Sequence, residues 1–216
     1  MTNDELELWV NDELFWDPKI DSAAIAVSAK NGDVTLRGTV GSYREKREAR
    51  KAAERVYGVE SVNNELKVRI LDEGGRDDAD LRGAVLQAMM LDTLIPTTID
   101  ATAYDGTVTL KGTAEWEYQR DEAEFVAGNV LGVLDIYDEI AIKNPRPKAG
   151  DVKESITKAF KRTAKVDAEG LSVDTYNGTV DVSGTVSSWY EHDAAMAAAW
   201  AAPGVTAVKD NITVVY

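Results

Sequence analysis

The stretch from Asn31 to Val68, NGDVTLRGTVGSYREKREARKAAERVYGVESVNNELKV, decides the fold, because the chain repeats it twice more without an insertion or a deletion. Residues Asp105 to Ile142 read DGTVTLKGTAEWEYQRDEAEFVAGNVLGVLDIYDEIAI, and residues Asn177 to Val214 read NGTVDVSGTVSSWYEHDAAMAAAWAAPGVTAVKDNITV. Nine structural glycines keep the same offsets: Gly32, Gly38 and Gly58, then Gly106, Gly112 and Gly132, then Gly178, Gly184 and Gly204. Asn31-Gly32, Asp105-Gly106 and Asn177-Gly178 are dipeptides that accept positive φ at both centres of a two-residue turn, so two strands meet at each. The second glycine of each set lies inside the following strand, where a missing side chain lets other backbone come close. The third follows a helical run and precedes a valine, as a left-handed helix C-cap does.

The segment between the last two glycines is helical by its spacing. Ala49, Ala52, Ala53 and Val56 recur as Ala123, Val126, Ala127 and Val130, and then as Ala195, Ala198, Ala199 and Ala202. That is an i, i+3, i+4, i+7 stripe of small apolar residues, suited to close packing of a helix on a sheet that carries a strand glycine. Ser42 with Glu45 and Ser188 with Glu191 fit the capping box, and Trp116 replaces the serine in the middle copy. In the first copy the helix is expected to run from Ser42 to Tyr57.

Outward from this frame, Leu6, Trp9, Val10, Leu14 and Phe15 predict an amphipathic helix over 4–16, stopped by Asp17-Pro18. Ile25, Val27 and Ala29 predict the first strand, Val34, Leu36 and Val40 the second, and Val62, Leu66, Val68 and Ile70 the third, with Asn64 interrupting the apolar face. Each unit therefore reads helix, strand, strand, helix, strand. Leu71 to Asp80 is a glycine- and aspartate-rich linker, and Asn144 to Gly150, with two prolines, a stiffer one. Three domains are expected, over 1–72, 77–143 and 151–216.

Composition narrows the chemistry. The 216 residues include no cysteine, which removes disulfides, cysteine-containing zinc sites and a cysteine nucleophile. A single histidine, His192, leaves no histidine pair for catalysis or metal binding, and its place near the start of the third long helix predicts a solvated side chain. The glycine frame lacks the helix entry and G-K-S/T of a phosphate loop, and no G-x-S-x-G elbow occurs. The net charge of −14, concentrated in the middle repeat, works against nucleic acid and strongly anionic lipid. Asp77, Asp78 and Asp80, and Asp121, Glu122 and Glu124, are acidic clusters without the spacing of a calcium loop, so no metal site is assigned. No stretch approaches a transmembrane span, and the acidic beginning lacks the form of a secretory signal. These features predict a cytoplasmic protein, or a periplasmic one if a leader was removed.

Aromatic residues cluster where the second strand turns into the long helix, at Tyr43, Trp116, Tyr118, Trp189 and Tyr190, and on the opening helix at Trp9, Phe15 and Trp16. Such side chains either close the ends of small cores or form a protein-binding surface. Tyr43, Trp116, Tyr118, Trp189, Tyr190, Trp9 and Trp16 are the candidate partner-binding residues.

With its G-x-V-x-L/V-x-G-T-V/A stretches beginning at Gly32, Gly106 and Gly178, and G-V steps at Gly58, Gly132 and Gly204, the repeat resembles the BON domain in three tandem copies. The resemblance implies an α+β fold of αββαβ units, each a three-stranded mixed sheet with two helices packed on one side. It also implies a role without catalysis or cofactor in osmotic or envelope stress, by binding phospholipid or protein. Departures are the three copies, where better-known exported relatives carry two, and the lack of a LysM-like segment. The alternative expectation is a potassium- or calcium-responsive sensor using the acidic middle domain.

Overall fold

In the computed structural model, which describes residues 1–69, 76–143, 152–163 and 170–215, the first helix starts at an N-cap that the sequence supplies. Thr2 accepts from the Glu5 amide while the Glu5 carboxylate accepts from the Thr2 amide, and α1 runs Asn3–Trp16. Its buried face is Leu6, Val10 and Leu14. A short 3-10 turn, Ser22–Ala24, leads into β1 (Ile25–Lys30), which turns at Asn31-Gly32 into β2 (Asp33–Val40); α2 (Tyr43–Glu54) and β3 (Ser61–Val68) complete the repeat. The second repeat is α3 (Asp78–Met90), β4 (Ile99–Tyr104), β5 (Thr107–Ala114), α4 (Glu117–Gly128) and β6 (Asp135–Ile142). The third is α5 (Val152–Arg162), β7 (Leu171–Tyr176), β8 (Thr179–Val186), α6 (Trp189–Trp200) and β9 (Ala207–Val214). Ile70, the first half of the Leu71 to Asp80 linker and all of the Asn144 to Gly150 linker lie outside the described residues.

Each repeat holds one three-stranded sheet in chain order, with its second strand central. β1 pairs antiparallel with β2 and β2 parallel with β3, a mixed sheet that the third repeat reproduces with β7, β8 and β9. In the first repeat Lys30 faces Asp33 across the turn, so the loop is two residues, and both Asn31 (φ 52°) and Gly32 (φ 87°) take positive φ. This backbone matches the right-handed twist of the strands it joins. The same glycine carbonyl then receives the chain again, accepting from the Glu60 amide at 2.8 Å; Gly106 accepts from Leu134 and Gly178 from Thr206 in the same way. One turn thus fixes two strands.

The strand glycine accommodates something other than the expected helix. At Gly38 (φ 127°) an added methyl group would overlap the carbonyl oxygen of Ala24, where the chain enters β1, and Gly112 and Gly184 stand in the same relation to Thr98 and Gly170. The close approach is therefore between neighbouring strands. The long helix also stops short of its expected end. α2 closes at Glu54 through tightened bonds from Arg55 to Ala52 and from Val56 to Ala53, and Gly58 sits in the following turn at φ 91°.

Both helices of the first repeat cover one face of its sheet. Val34, Leu36 and Leu66 meet Leu6, Val10 and Leu14 from α1 and Ala49, Ala52 and Ala53 from α2. The three alanines are fully buried, and their small size brings α2 close to β3. Burying a leucine such as Leu36 stabilises by about 1.5–3 kcal/mol. The opposite face is polar, as at Arg37 and Glu65, which are register partners joined by an ion pair of 2.7 Å. The third repeat builds its core from Ile156, Phe160, Val173, Val180, Val182, Ala195 and Ala199. By contact density the chain divides into two units. One comprises Met1–Gly112 and Gln119–Ile140, and the other comprises Thr113–Tyr118 and the chain from Ala141 onward.

Candidate binding surfaces

The entrances to the first and third long helices are set by their caps. Ser42 and Ser188 accept from the amides of Glu45 and Glu191. The return arm reaches one residue further back than in the usual box: Glu45 accepts from Gly41 and Glu191 from Ser187, each at 2.8 Å. Glu45 also accepts from the Asp21 amide at 2.6 Å, tying the start of α2 to the entry of β1. Glu45, which takes two amides, holds its helix terminus more firmly than a hydroxyl alone.

The structure scatters the seven candidate aromatics. Tyr43 is half-buried and its hydroxyl donates to Glu124 Oε1 at 3.1 Å; burial, then Glu124 and Asp135, holds the phenol far above its usual pKa. Trp116 and Trp189 are half-buried, Trp189 meeting the His192 ring edge-on at 4.7 Å. Tyr118 and Tyr190 occupy equivalent, exposed positions on α4 and α6. On α1, Trp9 is exposed, and Trp16 (77% exposed) stands edge-to-face with Phe15 (71% exposed) at 5.8 Å.

Composition and periodicity do not single out the matching end of α3. Leu14 and Met89 are the last buried residues of α1 and α3. Each is followed by two large exposed apolar residues, Phe15-Trp16 in one and Met90-Leu91 in the other, with Leu94 exposed just beyond. The available signal was an apolar pair placed past the last core position. Side chains this exposed leave apolar area in water worth roughly 25 cal/mol per Å² to whatever covers it.

A polar joint between the long helix and the last strand recurs in all three repeats, and it explains the break at Asn64. Asn64, Asp138 and Asp210 each accept, through Oδ1, the amide two residues on, at 3.2, 2.8 and 3.1 Å. Their other side-chain atom reaches the helix. Asn64 donates to the Lys46 carbonyl, Asp138 pairs with Arg120 at 3.2 Å, and Asp210 Oδ2 lies 2.8 Å from His192 Nε2. His192, expected in solvent, is 8% exposed, because its ring lies between Trp189, Asp193 and Asp210. Burial opposes its charge, but the hydrogen bonds to Asp193 and Asp210 outweigh that and hold its pKa above the ordinary value.

α2 and α4 also touch. Besides the bond from Tyr43 to Glu124, Lys46 pairs with Asp135 at 3.4 Å and the Arg47 guanidinium lies 4.6 Å over the Phe125 ring. The absence of a side chain at Gly128 makes room for the Tyr43 ring, which a Cβ there would overlap. The contact is incompletely satisfied: Arg47 Nε and Nη2 are buried with no hydrogen-bond partner among the described residues. Such burial costs about 1–3 kcal/mol, which the other interactions of the contact must offset. Of the acidic clusters, Asp77 caps α3 by accepting from Ala79 at 2.7 Å and Asp78 accepts from Gly106 at 3.4 Å. Among the described residues no group of three or more acidic or histidine side chains could hold a metal ion. No helix there is long and apolar enough to cross a membrane.

The chain is similar to the osmotically-inducible protein Y of Escherichia coli (strain K12), at 33% identity over 129 residues. That alignment covers 57% of this chain and 64% of the relative. Among solved structures, that of CdsD, a structural protein of the type III secretion system of Chlamydia trachomatis, aligns over 98% of this chain and 92% of its own. Its identity of 14% and TM-score of 0.27 make that likeness too weak to bear on the fold. Neither the family description nor the relative's name denotes an enzyme. The BON domain profile matches residues 2–70, 77–144 and 148–216, and the chain belongs to the BON domain family as three tandem copies.

Proposed function

We propose that the chain is a non-enzymatic tandem binding protein of osmotic or envelope stress adaptation, which engages a protein or phospholipid partner through the exposed ends of its opening helices. The observation that carries this reading is the repeated exposure of Phe15-Trp16 and Met90-Leu91 at one place in two repeats, where local packing uses neither pair. The likeness to an osmotically inducible protein supports the stress setting. The net charge of −14, with Asp12 and Glu13 on the same turn as Phe15, favours a protein partner with basic flanks over an anionic bilayer. Two weak tandem sites would gain by effective concentration. Pull-down and liposome flotation of the full chain, beside the quadruple change of Phe15, Trp16, Met90 and Leu91 to serine, test the reading. Capture that the serine variant loses supports it; no association of the full chain at low or high salt removes it.

A second reading, a potassium- or calcium-responsive sensor in the middle repeat, draws on the acidic side chains of α4, Glu117, Asp121, Glu122 and Glu124. Calorimetry with potassium, calcium and magnesium tests it, and the absence of saturable heat would remove it.

A further inference from the structure

The two helices that join the first and second repeats carry opposite charge. α2 presents Arg44, Lys46, Arg47, Arg50 and Lys51 against Glu45, Glu48 and Glu54, a net positive helix, whereas α4 presents Glu117, Asp121, Glu122 and Glu124 with Arg120 as its only cation. Apart from the Tyr43 ring set against Gly128, what holds them is polar. Tyr43 donates to Glu124, Lys46 pairs with Asp135 at 3.4 Å, Arg47 rests on Phe125, and Lys51 is near enough to Asp121 to act on its ionisation. The alanines of α2 are spent in its own core, leaving no apolar stripe for the partner helix. Lys46 is 21% exposed and Asp135 45% exposed, so salt reaches their pairing. The Debye length falls from about 10 Å at 0.1 M to about 3 Å at 1 M salt, which weakens every long-range term in such a contact.

We propose that the α2–α4 contact is a salt-sensitive closure, shut at low ionic strength and opened by charge screening, so that the spacing of the first two repeats reports ionic strength. This closure needs neither the partner surface nor a bound cation. It differs from a metal site in that any monovalent salt opens it equally. Opening frees the Arg47 guanidinium to regain water, which lowers the cost of the open state.

The test is NMR of the labelled full chain, following the Arg47 side chain, whose place over the Phe125 ring gives it a ring-current shift that only the closed state has. Between 0.05 and 1 M salt the ratio of closed to open molecules is expected to fall by about tenfold, equally in sodium and potassium chloride. Sucrose at matched osmolality should leave it unchanged. Lys46→Glu should open the contact at low salt, and adding Asp135→Lys should close it again. An unchanged ring-current shift up to 1 M salt overturns the proposal, as does an equal response to sucrose. A response to potassium alone overturns screening in favour of a specific cation site.

Discussion

His192 offers a pH test with one observable. It is the only histidine, so its ring proton resonance titrates without overlap. In the folded chain its two nitrogens lie 3.1 Å from Asp193 Oδ1 and 2.8 Å from Asp210 Oδ2, and the doubly protonated ring donates to both. Hydrogen bonds to a charged partner contribute about 1.5–3 kcal/mol each when buried. Here Asp193 is 74% exposed and Asp210 41% exposed, so solvent screening brings the two together to about 1–2 kcal/mol. The folded-state pKa is raised. The contribution is therefore complete below the ordinary histidine value, near 6.5, and is lost as pH rises through the folded value. In urea, with a slope of about 1–3 kcal/mol/M, the midpoint for the third repeat should fall by about 0.5–1 M over that window. His192→Arg, which copies the Arg120–Asp138 pair of the middle repeat, should remove the pH dependence and keep the stability. His192→Gln should lose stability at pH 6 and match the parent well above the folded pKa. A ring proton that titrates below 6.5, or a Gln variant with an unchanged pH profile, would refute the argument.

Three further outcomes test the architecture. Gly38→Ala places a methyl group on the Ala24 carbonyl at φ 127°, and should lower the stability of the first repeat by about 2–4 kcal/mol in denaturant titration. Phe160→Ala empties the largest fully buried position of the third repeat; a loss of about 3–5 kcal/mol is expected, read by hydrogen exchange in β7 to β9 with β1 to β3 unaffected. Ser42→Ala removes one cap bond while leaving Glu45 on Gly41, so a loss near 1 kcal/mol in thermal melting should be all that is seen.

Several features of this protein are written in short stretches of sequence because they are properties of the backbone. Asn31-Gly32 and its two counterparts turn the chain wherever they occur, since few other residue pairs accept positive φ twice. The alanine stripe and the serine caps likewise specify a helix and the face it buries. What only the tertiary structure decided depends on neighbours far away in the chain. The position that holds lysine, arginine and histidine in successive repeats looks solvent-facing by spacing, yet His192 is drawn inward because Asp210, on a strand 18 residues later, meets it. Met90 and Leu91 continue a helical apolar pattern but lie past Met89, the last buried residue of α3, and remain in water. Tyr43 joins Glu124, 81 residues away, through a contact whose geometry no local propensity encodes. Local backbone preference fixed the repeated motif; side-chain burial and the pairing of charges between the first two repeats required the assembled fold.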